Sequence, residues 1–274
     1  MEKFNEIGFL SNENAGWIAQ TRKEFLPSFE IAERCNRVGM RILFDIPTEN
    51  INDQQVVACA ATGRMVQSFQ ASKILAERGA LADARTIIRS CSESVIAIGA
   101  LKADPNTLDR FLEDRARGRL ALTNSVLEGL DGNKPNGDQI ARLHNARSEI
   151  LAGFGNRKLR AVNWAEMADR AKLKGLYDMA YRLTSANAAH FSIDAAQRHI
   201  VMDDTNDVGG FRYHPDKSDL GSTMFAANAC ILHGLDLIVA WFAMTAYSQE
   251  LELCVKDWKE KSQPDSDGDL AGRK

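Results

Sequence analysis

Apolar residues recur at steps of three and four over long stretches of this chain that are nearly free of proline, and that spacing restricts its fold more than any other feature. The 274 residues include only six prolines and nineteen glycines. Between them lie runs of Ala, Leu, Glu, Arg and Gln, the residues that lose least on entering a helix. Ala84, Ile88, Cys91, Val95 and Ile98 mark one apolar stripe. Val56, Ala60, Gly63, Val66, Gln70 and Ile74 mark another, and both stripes are expected to face a core. Helical content should therefore stand well above the usual value of about 30 to 35%. The expected fold is all-α, a bundle of about seven to nine helices with a long helix at the C-terminal end.

Helices are predicted over 15–43, interrupted or kinked at Pro27, and over 52–78, 81–103, 107–130, 138–151, 164–171, 173 to at least 185, and 222–261. Asp104 and Pro105 close the third of these, and the fourth is more polar and basic. DGNKPNGD is the clearest loop in the first half. MDDTNDVGGFRYHPDKSDLGS reads as a polar excursion with a short extended piece at 211–214. No repeat, heptad run or Ser/Gly/Pro linker divides the chain. Residues 1–262 are expected to form one helical domain, with 263–274 a disordered tail and a boundary near Pro135 as the alternative.

A chain of this length can bury about 70 to 75% of the surface its unfolded form exposes. Its formal net charge of -3 provides no global basic field, so nucleic acid is unsupported as a partner, although a local basic patch could exist. Cys35, Cys59, Cys91, Cys230 and Cys254 are dispersed, with no C-x-x-C pair, and read as buried thiols of a reducing cytoplasm. The N-terminus lacks the continuous apolar stretch of a secretory signal. Residues 226–247 approach the roughly 20 apolar residues of a spanning helix, but His233 and Asp236 near the middle would be costly in lipid. A buried helix is the expectation, with no membrane partner.

Arg89 and Glu93, four apart on a strongly helical segment, share one face and can pair. That helix becomes apolar nearly all round after Ser94, so Glu93 should be partly buried and needs a partner. Either the pair pins two helices together or it lines a polar pocket; pinning is the expectation. Tyr177, Tyr181 and Ser185 form a stripe on a later helix, and His190, if that helix continues, points inward as a hydrogen-bonded core residue. His233 and Asp236, three apart, form a secondary candidate in which Asp could orient the imidazole.

Several chemistries lack their motifs. There is no H-E-x-x-H, no E-x-x-H pair of the di-iron kind, no phosphate-binding P-loop and no G-x-G-x-x-G opening a helix. The acidic loop from Asp203 departs from a calcium loop, with Val208 at the glycine position and His214 in place of the bidentate Glu. No metal and no cofactor are expected.

Taken together, these residues resemble a bacterial family of all-helical domains of unknown function. Its members share an R-x-x-x-E helix, here Arg89 and Glu93, and a later Y-R-x-x-S helix followed by His, here Tyr181, Arg182, Ser185 and His190. The resemblance spans roughly 55–251 and implies a helical fold and a shared polar centre, without an activity. Some domains of this look resemble HEPN ribonucleases, whose mark is R-x-x-x-x-H. Here the residues five before His190, His233 and His199 are Ser185, Asn228 and Asp194. The expected function is a cytoplasmic binding or interaction domain whose polar centre is mainly structural and can also receive a small ligand or a segment of a protein partner. The alternative is a divergent nuclease using His190 with Arg182.

Overall fold

The computed structural model describes residues 2–11, 14–130, 137–182, 193–205 and 207–261. It is 78% helical, with a single two-stranded sheet among the described residues, and it has more helices than the seven to nine expected. The predicted tail at 263–274 lies outside the described residues.

The chain opens with α1 (Glu2–Ile7), α2 (Ala15–Glu24) and α3 (Leu26–Asp45). The helix predicted over 15–43 is therefore two helices, because Pro27 occupies the first turn of α3 and the chain breaks at Phe25. α4 (Asp53–Glu77) starts at a capping box: the Asn52 side chain accepts from Gln55 N at 2.9 Å, and Gln55 Oε1 accepts from Asn52 N at 3.0 Å. α5 (Leu81–Ala103) ends where Asp104 becomes extended before Pro105. Thr107 Oγ1 then donates to Ala100 O at 2.9 Å, closing the last turn.

α6 (Thr107–Leu130) and α7 (Gly137–Gly153) pack on each other as a helical hairpin, and α7 buries none of its residues. The base of this hairpin is fixed by Glu113, which accepts from both terminal nitrogens of Arg157 at 2.5 and 3.0 Å and from Arg160 N at 2.7 Å. These donors, Arg157 first, hold the Glu113 carboxyl down at about 2. After α8 (Trp164–Arg170), capped by Asn163, and the single turn α9 (Lys174–Leu176), the backbone widens into a π-helical segment, Tyr177–Arg182. The α-helix expected from 173 to at least 185 is thus mostly π-helical where it is described.

α10 (Ile193–Gln197) leads to an antiparallel hairpin of β1 (Ile200–Met202) and β2 (Val208–Phe211). Its turn explains the acidic loop. The Asp203 carboxylate accepts from Thr205 N, Thr205 Oγ1 and Asp207 N at 2.7 to 3.0 Å, a self-contained Asx turn. α11 (Leu220–Trp241) is the long apolar helix expected, and most of it is buried against α3, α4, α5 and α12 (Ser248–Lys261). It ends at Trp241 instead of running on to Lys261. Ala243 takes a left-handed φ of 53°, and the chain reverses so that α12 packs back on α3. Arg34 pairs with Asp257, Arg41 pairs with Glu250, and Tyr247 donates to Asp45 along that seam.

The α5 stripe faces the core as predicted, with Ala84, Ile88, Cys91, Val95 and Ile98 all buried. The α4 stripe does not. Val56 and Ile74 are exposed, and the buried side of α4 is Ala58, Thr62, Met65, Val66, Phe69, Ser72 and Ala76. Two glycines admit close contacts. A Cβ on Gly234 would stand 2.0 Å from Met65 Sδ, where α11 crosses α4. Gly79 has φ +79°, its carbonyl accepts from Asp216 N at 3.0 Å, and a Cβ there would lie 2.7 Å from that same nitrogen.

Gly79→Ala should therefore destabilise the protein by about 1 to 3 kcal/mol, from left-handed strain and a backbone clash together. Urea denaturation of the two proteins measures this, and an unchanged midpoint would show that the Pro215–Asp216 segment is free to move off α5's start.

Candidate functional site

α5 carries two faces. Ile88, Cys91 and Val95 fill the core, while Arg85, Arg89 and Glu93, at steps of four, form a polar stripe. Arg85 Nε donates to Thr223 Oγ1 at 3.0 Å, and its guanidinium pairs with Asp219, which Arg198 also holds at 2.7 Å. One turn on, Arg89 Nη2 donates to Tyr181 OH at 2.8 Å, and the guanidinium carbon lies 4.5 Å from the Tyr181 ring centroid. Tyr181 stacks on Tyr177 with centroids 4.9 Å apart. The result is an Arg–Tyr–Tyr stack joining α5 to the π-helical segment through cation–π and ring contacts.

Glu93 completes this centre loosely. Its Oε1 lies 3.5 Å from Arg89 Nε, and the carboxylate accepts no hydrogen bond among the described residues. Burial pushes its pKa up, while the Arg89 and Arg64 charges pull the other way. Arg64, on α4, donates to Ser90 Oγ at 3.0 Å. Arg89 thus contacts Tyr181 across the sequence and pairs loosely with Glu93 on its own helix.

The other predicted members fare differently. Arg182 is exposed and pairs with Asp178 at 3.3 Å, a contact within its own turn, so it is not part of the stack. Ser185 and His190 lie outside the described residues. The nuclease alternative, which needs Arg182 beside His190, therefore gains no support from Arg182.

His233 and Asp236 sit on the outward side of α11, both exposed, and make no ion pair with each other among the described residues. They line a groove of 630 Å³ between α11 and α12 with Leu251, Val255 and Trp258. His233 meets the edge of Trp258, which stacks on Phe225 at 4.7 Å. The apolar walls lower the His233 pKa, as does Lys259, against the pull of Asp236. Tyr247 lies beyond the break in the helix.

Arg64, Arg85, Arg198 and Asp219 are not evident as site residues in the sequence. Only Arg85, four before Arg89, had a periodic signal. Cys35, Cys91, Cys230 and Cys254 are buried as expected, in the cross-helix pairs Cys35 with Cys254 and Cys91 with Cys230, whereas Cys59 is half-buried. Among the described residues no group of three His, Cys, Asp or Glu could hold a metal ion.

The arrangement defines an all-helical protein whose charged centre is shared between a core helix and a π-helical turn. This chain belongs to a family of unknown function (DUF5677), whose profile matches residues 55–207, more than half of its length. The matched stretch contains Arg89, Glu93, Tyr177 and Tyr181 but stops short of α11, so His233 and Asp236 lie outside it. No curated protein and no solved structure matches the chain.

Arg89→Ala should destabilise the fold by about 1 to 3 kcal/mol, less than a fully buried pair would cost, because Glu93 keeps 28% of its side chain in water. Glu93→Gln should do the reverse at neutral pH. A carboxyl whose folded pKa is raised binds more protons folded than unfolded, so its contribution to stability falls as pH rises through the acid range. Wild type and Glu93→Gln should thus melt together near pH 4 or below, with the variant higher at pH 7. Thermal melts across that range check the divergence, and a gap that widens toward acid would contradict it.

Proposed function

We propose that this is a cytoplasmic helical binding protein, with no membrane partner, whose partly buried centre at Arg89, Glu93 and Tyr181 receives a small ligand or a segment of a protein partner. The observation that carries this reading is Glu93, a half-buried carboxylate with two cationic neighbours, Arg89 at 3.5 Å and Arg64, and no hydrogen bond among the described residues. A buried acceptor left in that condition costs free energy, and a ligand donor removes the cost on binding. Arg89, one cationic neighbour of Glu93, is held by the Tyr181–Tyr177 stack on a π-helical segment of the kind often found at functional sites. An amine, guanidinium or amide donor fits this acceptor.

A thermal-shift screen of small amines, guanidines and amides with aromatic or aliphatic bodies tests the proposal. At least one class should raise the melting temperature of the wild type, and Glu93→Gln should remove that shift while remaining folded. Equal shifts in both proteins, or none in the wild type, would leave the centre with a purely structural role.

A further inference from the structure

We propose that the outer seam of the α6–α7 hairpin docks an acidic, amphipathic helical segment of another protein. Leu112, Arg115, Arg119, Leu122 and Val126 follow one another along α6 at steps of three, four, three and four. That spacing is the seam of one helix meeting another, yet all five side chains are exposed, Leu122 at 67%. Beside the seam, α6 and α7 enclose a groove of 380 Å³ lined by Leu112, Arg115, Arg119, Glu149 and Ile150.

The charges decide what fits there. Arg117 and Arg157 near the base of the hairpin are paired, with Asp114 and Glu113. Arg115 and Arg119 form no ion pair among the described residues, and Glu149 is the only acidic residue lining the groove. Arg142, four before Ala146 on α7, adds a cation to the same side. A second copy of this chain is a poor occupant. Antiparallel pairing of two such seams about Arg119 would set Arg119 against itself, and parallel pairing would set every arginine beside its copy. A phosphate backbone would neutralise the arginines but leave Leu122 and Val126 in water. A helix with Leu at the anchor positions and Glu or Asp opposite the arginines fills the apolar positions and neutralises both charges.

Fluorescence anisotropy of the full chain with three labelled probes tests this: a three-heptad helical peptide with Leu and Glu on one face, its Leu and Lys counterpart, and a short DNA duplex. The Leu/Glu peptide should bind, and raised salt should weaken it. Arg115→Glu with Arg119→Glu should weaken it at least about tenfold and transfer preference to the Leu/Lys peptide. Leu122→Asp should weaken both peptides. Arg115→Gln with Arg119→Gln replaces the reversed pair if circular dichroism shows that it has lost helix, and should still abolish the preference for Glu. Equal binding of the two peptides, preference for the duplex, binding of no probe, or self-association that occludes the seam in sedimentation would each overturn the proposal. The seam shares no residue with the Arg89 centre, so the small-molecule screen and the peptide titration fail independently.

Discussion

Burial of α11 is the constraint on which the remaining packing depends. Its Leu220, Met224, Ile231, Leu235 and Ile238 are inaccessible to water, and each fully buried aliphatic side chain stabilises the folded chain by about 1.5 to 3 kcal/mol. Such a helix needs neighbours on several sides, which α3, α4, α5 and α12 supply. Gly234 lets the Met65 side chain of α4 lie against the α11 backbone, and Asn228 is admitted by donating to Ser28 O at 3.2 Å. The ionisable residues that made a spanning helix costly, His233 and Asp236, lie on the one side left open to water. The same helix therefore meets its apolar and its polar requirements without placing a charge in the core.

Covering α11 fixes α5, and α5 in turn sets the polar centre. With Ile88, Cys91 and Val95 turned into the core, the opposite side of the helix has to bring Arg85, Arg89 and Glu93 to the boundary with the π-helical segment. Three contacts to Arg89 act together there: a hydrogen bond to the Tyr181 hydroxyl, a ring contact and a loose ion pair. The first two involve the same pair of side chains and together contribute about 1 to 3 kcal/mol. The ion pair at 3.5 Å contributes less than the burial of Glu93 takes away, which is why the carboxyl titrates high instead of low. The centre is held by arginine and tyrosine, and the glutamate is its unfinished part.

Legibility in the sequence followed how many independent signals each feature carried. α5 was readable because its stripe, its Asp–Pro stop and its Arg89–Glu93 spacing agree. α4 was readable as a helix, from its apolar steps of three and four, but not in its orientation. It has apolar residues on several sides, and contacts such as that of Met65 with Gly234 select which side turns inward. The π-helical segment left no trace because Tyr177 and Tyr181, four apart, stay neighbours in either helical form. The reversal at Ala243 has neither Gly nor Pro to mark it. It is imposed from a distance, by the packing of α12 on α3 and the ion pairs of Arg34 and Arg41. Arg198 and Asp219 reach the centre's neighbourhood through the β-hairpin region, a long-range return that no local pattern encodes.

The matched family stretch and the folded core do not have the same boundaries, and this bears on where binding properties can reside. Residues 55–207 contain the whole Arg89–Tyr181 centre, shared between α5 and the π-helical segment, and the α6–α7 hairpin that follows α5. Yet the buried side of α5 is covered by α11, which lies beyond residue 207, and by α4 within the stretch. Excised alone, 55–207 would expose Ile88, Val95 and Ile98 to water and lose the wall that holds Arg85, through Thr223 and Asp219. The matched stretch thus has the polar and exposed surfaces and the α4–α5 packing, while α11, outside it, completes the apolar burial that keeps those surfaces in place. Changes in α11 or α12 should act on the centre through the stability of α5, and changes on the α6 seam should leave α5 untouched.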